Sequence, residues 1–348
     1  MSADRTPKPE PEPIVAASPF SSGHAPIGSG AESAEPRRRG RPVLRILTWL
    51  FLGLLSLAAL LGLAVAGAWV WYHPEFTVEK AVAYGERRGK PLLLDVVRPA
   101  KPNGLGIVYF TSGGWKSGGP GDFNAMALAP LLRRGYTIFP VYHVSQPEAT
   151  VMEIVDDMHR AVRWIRTHAA DYGIDPARIG VTGGSAGGHL ALMIATRGGP
   201  GDPDAADPVD RESSAVQAVA IFYPVTDMTN LRGSTEDTGD GGPPKSFRAA
   251  LDQEPVDMAR WKVTGPELSP IRYVSKDLPP TLIYHGDADT LVPLDQSQRY
   301  QAAAKDAGAT VEVVVHPGGG HGWVSMIVDL IHFGSWFDEH LRRGRSGG

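Results

Sequence analysis

Residues 178–195, RIGVTGGSAGGHLALMIA, hold a short β-branched stretch followed by a run rich in Ala and Leu. The first part is typical of a strand and the second of a helix. Ser185 lies between them in the motif G-x-S-x-G. A sharp turn from strand to helix forces such a serine into a cramped backbone conformation, and the glycines around it leave room for the turn. The stretch therefore predicts a strand–turn–helix unit that raises the Ser185 hydroxyl above a sheet edge.

Two later segments have the pattern of a strand that breaks into a polar or glycine-rich loop. Residues 281–293, TLIYHGDADTLVP, carry two aspartates after an apolar run, and residues 311–323, VEVVVHPGGGHGW, end in a loop that carries His321. Asp289 is preferred as an acid that orients a histidine, because it stands just ahead of a Val-Pro pair that fixes the following turn. Asp287 is expected to brace the loop by side-chain to backbone bonds.

The order of these segments, serine, then aspartate, then histidine, is that of hydrolases built on a strand–turn–helix nucleophile. A serine hydroxyl is a weak nucleophile at neutral pH, so it needs an imidazole to take its proton and an acid to hold that imidazole. The order predicts Ser185 as nucleophile, His321 as general base and Asp289 as the orienting acid. A glycine-rich turn with an incidental serine is the alternative for the first motif, and Asp227 is a rival acid that we interpret as structural.

A third glycine-rich loop follows an earlier buried strand in residues 107–119, IVYFTSGGWKSGG. In hydrolases of this kind, a backbone amide from such a loop and the amide that follows the nucleophile stabilise the negative oxygen of the reaction intermediate. This predicts Gly113 and Gly114 in the loop, and Ala186 after the nucleophile, as the oxyanion hole. A flexible loop with no catalytic role is the alternative for this stretch in isolation.

Together these segments resemble the α/β-hydrolase superfamily, and within it the esterase and lipase group that includes hormone-sensitive-lipase-like enzymes and feruloyl and acetylxylan esterase-like proteins. The resemblance spans residues 92–341 and implies a mostly parallel sheet flanked by helices and a serine esterase that forms an acyl-enzyme intermediate. One feature departs from the group, because Thr111 and Ser112 stand where its loop usually has His and Gly. The resemblance rests on residues 112–115 (SGGW), 183–188 (GGSAGG), 223–227 (YPVTD), 269–274 (SPIRYV), 285–289 (HGDAD) and 320–322 (GHG).

The rest of this region fits a sheet with helices on its faces. Residues 136–142 and 216–223 are near-continuous apolar runs, typical of strands buried on both faces, and residues 151–168 have the spacing of an amphipathic helix. Residues 226–275 break the alternation and are predicted as an insertion above the sheet, either a cap over the site or a disordered surface segment. Three large side chains of the insertion either line an acyl pocket or pack the cap onto the core: Phe247, Met258 and Trp261.

The N-terminal part predicts a membrane anchor. Residues 46–72 hold no charged side chain, and a helix of about 20 apolar residues spans a bilayer. The arginines ahead of this run place the N-terminus in the cytoplasm. We expect a disordered cytoplasmic tail at 1–42, a single-pass cell-membrane anchor at 43–73 and an α/β-hydrolase domain at 74–348 on the extracytoplasmic side. Cleavage of the segment as a signal peptide, which would give a secreted enzyme, is the alternative.

Composition limits the partners, cofactors and substrates that are expected. The 348 residues carry a net charge of −4 and no cysteine, so nucleic acid is not an expected partner and neither disulfides nor thiol ligands are available. The sequence has no phosphate-binding loop and no metal-ligand spacing, so no cofactor or metal is expected. The expected substrate is a small-molecule or polysaccharide-linked ester, and the oligomeric state is left open. Two other functions also stay open: a prolyl-oligopeptidase-like exopeptidase or amidase, and a catalytically inactive hydrolase fold that serves as a binding module.

Overall fold

The computed structural model describes residues 42–251 and 257–342. Its first helix, α1 (Pro42–Tyr72), exposes apolar side chains along its length. Over Val43–Tyr72 this helix is long and apolar enough to cross a membrane, a property that a signal sequence near an N-terminus shares. The predicted tail at 1–42 lies outside the described residues except for its last residue, which begins α1.

In the part of the chain that the structure describes, eight strands form a single sheet. They are β1 (Phe76–Arg87), β2 (Lys90–Pro99), β3 (Gly106–Phe110), β4 (Thr137–Val141), β5 (Ile179–Gly184), β6 (Ala218–Phe222), β7 (Thr281–Gly286) and β8 (Val311–His316). Their spatial order is β1-β2-β4-β3-β5-β6-β7-β8, and every neighbouring pair from β4 to β8 is parallel. The apolar runs that were predicted as strands form this parallel part. Its carboxyl ends all meet at one edge of the sheet.

The sheet separates two hydrophobic cores. Along β6, Val219 and Ile221 belong to one core and Ala218 and Ala220 to the other, because successive side chains of a strand point to opposite faces. Helices pack against both faces, so the predicted architecture of a mostly parallel sheet flanked by helices is present. The helices after α1 are α2 (Ala125–Arg133), α3 (Val151–Thr167), α4 (Ala169–Tyr172), α5 (Ala186–Arg197), α6 (Pro208–Arg211), α7 (Met258–Glu267), α8 (Asp295–Ala307) and α9 (Met326–Phe337).

The hairpin of β1 and β2 is a feature that the sequence analysis did not identify. It joins the sheet through antiparallel pairing of β2 with β4. The β1–β2 register is irregular between Glu79 and Val82 and again between Ala83 and Gly85. These irregularities, and the exposed face of an edge strand, interrupt the alternation of polar and apolar residues by which a strand is predicted.

The described part of the predicted insertion, residues 226–251 and 257–275, contains only short helical segments. Besides α7 these are the 3₁₀ turns Lys245–Leu251 and Pro270–Tyr273. The start of the insertion is bonded to the loop that follows β7: the Thr235 amide donates to the Thr290 carbonyl at 2.8 Å, and Oγ of Ser234 donates to the Leu291 carbonyl at 2.6 Å. The insertion therefore lies beside the carboxyl edge of the sheet.

Candidate active site

Ser185 lies between β5 and α5, at the carboxyl edge of the sheet. Its backbone has φ 55° and ψ −120°, a sparsely populated conformation that costs on the order of 1–3 kcal/mol. The turn is tight because one backbone passes close to another. A Cβ at Gly183 would lie 2.6 Å from the carbonyl of Gly187, and a Cβ at Gly187 would lie 2.4 Å from the carbonyl oxygen of Phe110. Close backbone packing therefore requires glycine at both positions.

Ser185, His321 and Asp289 are joined by a row of hydrogen bonds. Nε2 of His321 is 2.8 Å from Oγ of Ser185, and Nδ1 is 2.7 Å from Oδ2 of Asp289. A neutral imidazole with its proton on Nδ1 donates to the carboxylate and accepts the serine hydroxyl on Nε2. This arrangement leaves Nε2 positioned to take the hydroxyl proton.

The carboxylate of Asp289 is buried in the loop after β7. Its Oδ1 accepts the amides of Leu291 at 2.9 Å and Val292 at 3.0 Å. Burial by itself would raise the pKa of Asp289, but interactions with His285, His321 and the Val292 amide outweigh burial and lower the pKa below its ordinary value. The group is therefore an anion at neutral pH, as a residue that fixes an imidazole tautomer must be.

The other two aspartates considered from the sequence are engaged elsewhere. Oδ1 of Asp287 accepts the Gly318 amide at 2.7 Å and braces the loop after β8 against the loop after β7. Oδ2 of Asp227 pairs with the guanidinium of Arg299 at 2.7 Å. Of the three carboxylates, the structure brings Asp289 to His321.

The three predicted oxyanion donors differ in whether their amides already have an acceptor. They are Gly113, Gly114 and Ala186. The Gly113 amide donates to the Lys116 carbonyl at 3.0 Å, so the structure favours Gly114 over Gly113 as an oxyanion donor. Gly114 and Ala186 line the same cavity as Ser185. No described residue supplies an acceptor to the Gly114 amide, and Ala186 begins α5, where helix amides lack an intrahelical partner.

His143 supports this loop and was not identified from the sequence. β3 and β4 end with Phe110 opposite Val141, so Ser112 and His143, each two residues past the end of its strand, lie side by side. Nδ1 of His143 donates to the Val144 carbonyl at 2.9 Å, and Nε2 accepts the Ser112 hydroxyl at 3.0 Å. Burial lowers the pKa of His143 to about 4. A neutral histidine from the neighbouring strand therefore holds the loop in which the usual histidine is replaced.

Trp115 ties the same loop to α5 and to the insertion. Its indole Nε1–H donates to Nδ1 of His189 at 3.1 Å, and Nε2 of His189 donates to the Leu268 carbonyl at 2.8 Å. His189 is fully buried, and burial lowers its pKa to about 4. Three segments that are distant in sequence therefore meet at one neutral imidazole.

Tyr223 forms a wall beside His321. The centroids of the two rings are 4.4 Å apart, and the backbone of Tyr223 has φ 33°. Burial raises the pKa of Tyr223 to about 12, so the phenol is neutral at physiological pH. It limits the positions open to the His321 ring without adding a charge.

A small cavity of about 80 Å³ opens beside Ser185. Phe247 and Trp261 are buried in the core and pack against each other with ring centroids 6.0 Å apart, and Met258 packs against the same core. Of the two roles considered for these side chains, the structure favours packing the insertion onto the core. The insertion, its flanks and the loop after β7 supply shorter apolar side chains to the cavity wall: Val225, Leu231, Pro244, Leu291, Val292 and Pro293.

Comparison with known proteins connects this geometry to esterases. The BD-FAE family model matches residues 94–303. The chain is 32% identical to the esterase LipQ of Mycobacterium tuberculosis over 220 residues, which are 62% of this chain and 49% of the relative. It is 30% identical to the probable carboxylic ester hydrolase LipM of the same organism over 236 residues, 66% of this chain and 52% of the relative. The chain thus spans about half the length of these relatives.

Solved structures share the architecture over nearly their whole length. A truncated carbohydrate esterase from gut microbiota is 28% identical with a TM-score of 0.59, and the match covers 76% of this chain and 96% of that chain. An acetyl ester-xyloside bifunctional hydrolase from Caldicellulosiruptor lactoaceticus is 26% identical with a TM-score of 0.58, covering 76% and 95%. These matches confirm the predicted α/β-hydrolase fold and the resemblance to the esterase group.

Proposed function

The chain belongs to the BD-FAE family, and we propose that it is a serine esterase that cleaves carboxylic esters through an acyl-enzyme intermediate. The observation that carries the proposal is the row of two hydrogen bonds, 2.8 Å from Ser185 to His321 and 2.7 Å from His321 to Asp289. This is the geometry that a nucleophile, its base and the base's orienting acid require.

In the first step Oγ of Ser185 attacks the carbonyl carbon of the ester while its proton passes to Nε2 of His321. The tetrahedral intermediate collapses when the bond to the alcohol oxygen breaks, and the imidazolium returns the proton to the departing alcohol. Water, activated by the same imidazole, then attacks the acyl-serine and releases the acid. Asp289 stabilises the imidazolium in each half without taking a proton.

The negative oxygen of each tetrahedral intermediate needs donors that are already in position. We assign this role to the amides of Ala186 and Gly114, because both residues line the cavity next to Ser185. Two features keep the Gly114 amide in place: the bond between Ser112 and His143, and a bond from the Gln146 side chain to the Gly114 carbonyl.

The cavity supports a small substrate group. A small volume of about 80 Å³ with a largely apolar wall suits a short acyl chain or a small alcohol. Related structures include a carbohydrate esterase and an acetyl ester-xyloside hydrolase. A small-molecule or polysaccharide-linked ester is therefore the substrate class that we propose.

We also propose that α1 anchors the enzyme in the cell membrane, with the hydrolase domain on the extracytoplasmic side. The support is the length and apolar character of Val43–Tyr72 and the arginines that precede it in the sequence. Carbonate-washed membranes and protease treatment of intact spheroplasts test this directly. Recovery of the full-length chain in the soluble fraction, or protection of the domain from external protease, contradicts the proposed anchoring.

Labelling of the full-length protein in detergent with a fluorophosphonate probe tests the serine mechanism. We expect a stable adduct in the wild type, no adduct in Ser185→Ala and weak labelling in His321→Ala and Asp289→Asn. Hydrolysis of 4-nitrophenyl acetate by Ser185→Ala should fall by about 10⁴-fold or more.

Three results separate the alternatives. Full hydrolysis by Ser185→Ala with unchanged thermal unfolding contradicts the proposal. A 4-nitroanilide matched to the nitrophenyl ester distinguishes an amidase from an esterase. Absence of labelling in folded wild-type protein supports the inactive binding module instead.

A further inference from the structure

One ionisable side chain stands in the wall of the cavity beside Ser185. Among the described residues that line it, Glu236 alone carries an ionisable group, and it comes from the insertion. Most of the other lining residues are apolar, such as Leu231, Leu291 and Pro293. A carboxylate in a largely apolar wall interacts with the charge of whatever occupies the cavity, because the apolar part of its surroundings screens it less than water does.

The position of Glu236 is fixed relative to Asp289. One carboxylate oxygen, Oε2, accepts the Ser246 amide at 2.6 Å, and the backbone amide of Glu236 donates to Oγ of Ser234 at 3.0 Å. That same Oγ donates to the Leu291 carbonyl at 2.6 Å, and the Leu291 amide donates to Asp289 at 2.9 Å. A continuous series of bonds therefore connects the carboxylate to the loop that carries the orienting acid.

No cation from the described residues neutralises Glu236. The described chain places no Lys, Arg or His nitrogen within ion-pairing distance of it. Two basic side chains of the same segment are engaged elsewhere: Nζ of Lys245 donates to the Thr235 carbonyl at 2.8 Å, and Arg248 pairs with Asp240 at 2.6 Å. Glu236 is partly buried, and the second oxygen of its carboxylate has no protein donor among the described residues, so that oxygen can face a bound molecule.

We propose that Glu236 sets the charge preference of this esterase: the cavity accepts neutral and cationic groups of an ester and rejects groups that carry a carboxylate. The inference rests on the proposed function and adds to it a specificity-determining residue and a substrate class. A bound carboxylate would stand against an unneutralised like charge, whereas an ammonium group would gain a partner. The proposal applies to the part of the substrate that occupies the cavity, either acyl group or alcohol.

Two matched substrate series test the proposal with the full-length protein in detergent. The acyl series uses 4-nitrophenyl esters of 4-(trimethylammonio)butyrate, of its neutral isostere 5,5-dimethylhexanoate, and of glutarate as the anionic monoester. The alcohol series uses acetylcholine, its neutral isostere 3,3-dimethylbutyl acetate, and 3-acetoxypropanoate as the anion. Each series keeps the other half of the ester constant, so the series that responds shows which half the cavity binds.

The measurement is kcat/KM for wild type and for Glu236→Gln, which keeps the shape of the side chain and an oxygen for the Ser246 amide. In the responding series we expect the wild type to prefer the cation over the anion by about tenfold or more, and Glu236→Gln to bring that ratio close to one. The neutral isostere is the internal reference for each variant, because its binding does not depend on the charge at position 236. The wild-type ratio should shrink as ionic strength rises from 0.05 to 0.5 M, since salt screens the interaction.

Asp237→Asn is the matched control, because it removes the same formal charge one residue along from a side chain that does not line the cavity. Its cation-to-anion ratio should equal that of the wild type. A ratio that is unchanged in Glu236→Gln in both series, while neutral esters are still cleaved, overturns the inference and leaves the esterase proposal standing. A wild type that cleaves no member of either series overturns both.

Discussion

Two glycine-rich loops border Ser185, and they are held in different ways. In the turn at 183–188, backbone meets backbone: a Cβ on Gly187 would lie 2.4 Å from the Phe110 carbonyl oxygen. In the loop at 112–117, a Cβ on Gly113 or Gly114 would meet no atom within 4 Å. That second loop is positioned by side chains, chiefly through the bonds of His143 to Ser112 and of His189 to Trp115.

The difference shows that the same composition serves two purposes. The turn at 183–188 uses glycine at positions 183 and 187 because a side chain there would collide with backbone, so its shape depends on packing. The loop at 112–117 uses glycine at position 114 because the backbone there has φ 56°, a region that favours glycine. Its shape depends on hydrogen bonds to two neutral histidines. We therefore expect the two loops to respond differently to substitution and to pH.

Gly187→Ala should have the largest effect, because the new methyl group meets the backbone of β3. The free energy of unfolding should fall by about 3 kcal/mol or more, which is the upper end of the range that overpacking costs. Urea unfolding monitored by circular dichroism measures this loss. Soluble protein with wild-type stability would contradict the idea that packing fixes the turn.

Acidification should have the second-largest effect, and it should act mainly on the loop at 112–117. The folded-state pKa values of His143 and His189 are lowered to about 4 from an ordinary value of 6.5. The native state therefore binds fewer protons than the unfolded state in this window, and its stability is complete above pH 6.5 and is lost as the pH falls toward 4. The expected loss is on the order of 2 kcal/mol for each histidine at pH 5.

Hydrogen exchange at pH 7 and pH 5, corrected for the intrinsic rate, separates the two loops. Amides at 113–117 should lose more protection on acidification than amides at 184–188. His159, whose pKa burial also lowers to about 4, adds to the global loss but touches neither loop. Asp289 titrates below this window because its pKa is lowered. Equal changes in both loops would refute the distinction.

Ser112→Ala should have a smaller effect, concentrated on the rate of the chemical step. The substitution leaves Nε2 of buried His143 without its donor, at a cost of about 1–3 kcal/mol in stability. Since the loop positions the Gly114 amide, we expect kcat for a short ester to fall about tenfold with KM nearly unchanged. Ser112→Thr, which keeps the hydroxyl, is the matched control. A lower melting temperature with an unchanged kcat would show that Ser112 has only a structural role.

Gly113→Ala should have the smallest effect of all. Its φ lies outside the left-handed region, the space around a new Cβ is empty, and its amide is already bonded to Lys116. We expect the free energy of unfolding to stay within about 0.5 kcal/mol of wild type and kcat/KM within about twofold. A severe loss of kcat would show that Gly113 takes a direct part in the reaction after all.

The parallel part of the fold could be predicted from the sequence because its strands are buried on both faces and read as apolar runs. β1 could not, because half of its side chains are exposed and its register shifts twice. The sequence also predicts the positions of Ser185, Asp289 and His321, for a related reason. Each lies at or shortly after the end of a predicted strand, and parallel strands end at one edge.

The details of the oxyanion loop could not be predicted, because they depend on hydrogen-bond partners that the local sequence does not identify. Nothing in the sequence distinguishes Gly113 from Gly114, since the difference lies in a turn closed by Lys116. His143 becomes predictable only once β3 and β4 are known to be neighbours in register, which places it beside Ser112. The bonds from Ser234 and Thr235 to the loop after β7 likewise join segments more than fifty residues apart.

The imidazole of His189 has a consequence for the order in which the protein assembles. The turn at Ser185 packs against β3 and β6, which both end by residue 222, so it can form before the insertion has been synthesised. Trp115 is 74 residues from His189, which is 79 residues from Leu268, and contacts across such separations form slowly. The loop at 112–117 therefore gains its last anchor only after the insertion has been synthesised. The nucleophile turn is among the early parts of the molecule, and the groups that would complete its chemistry are among the late ones.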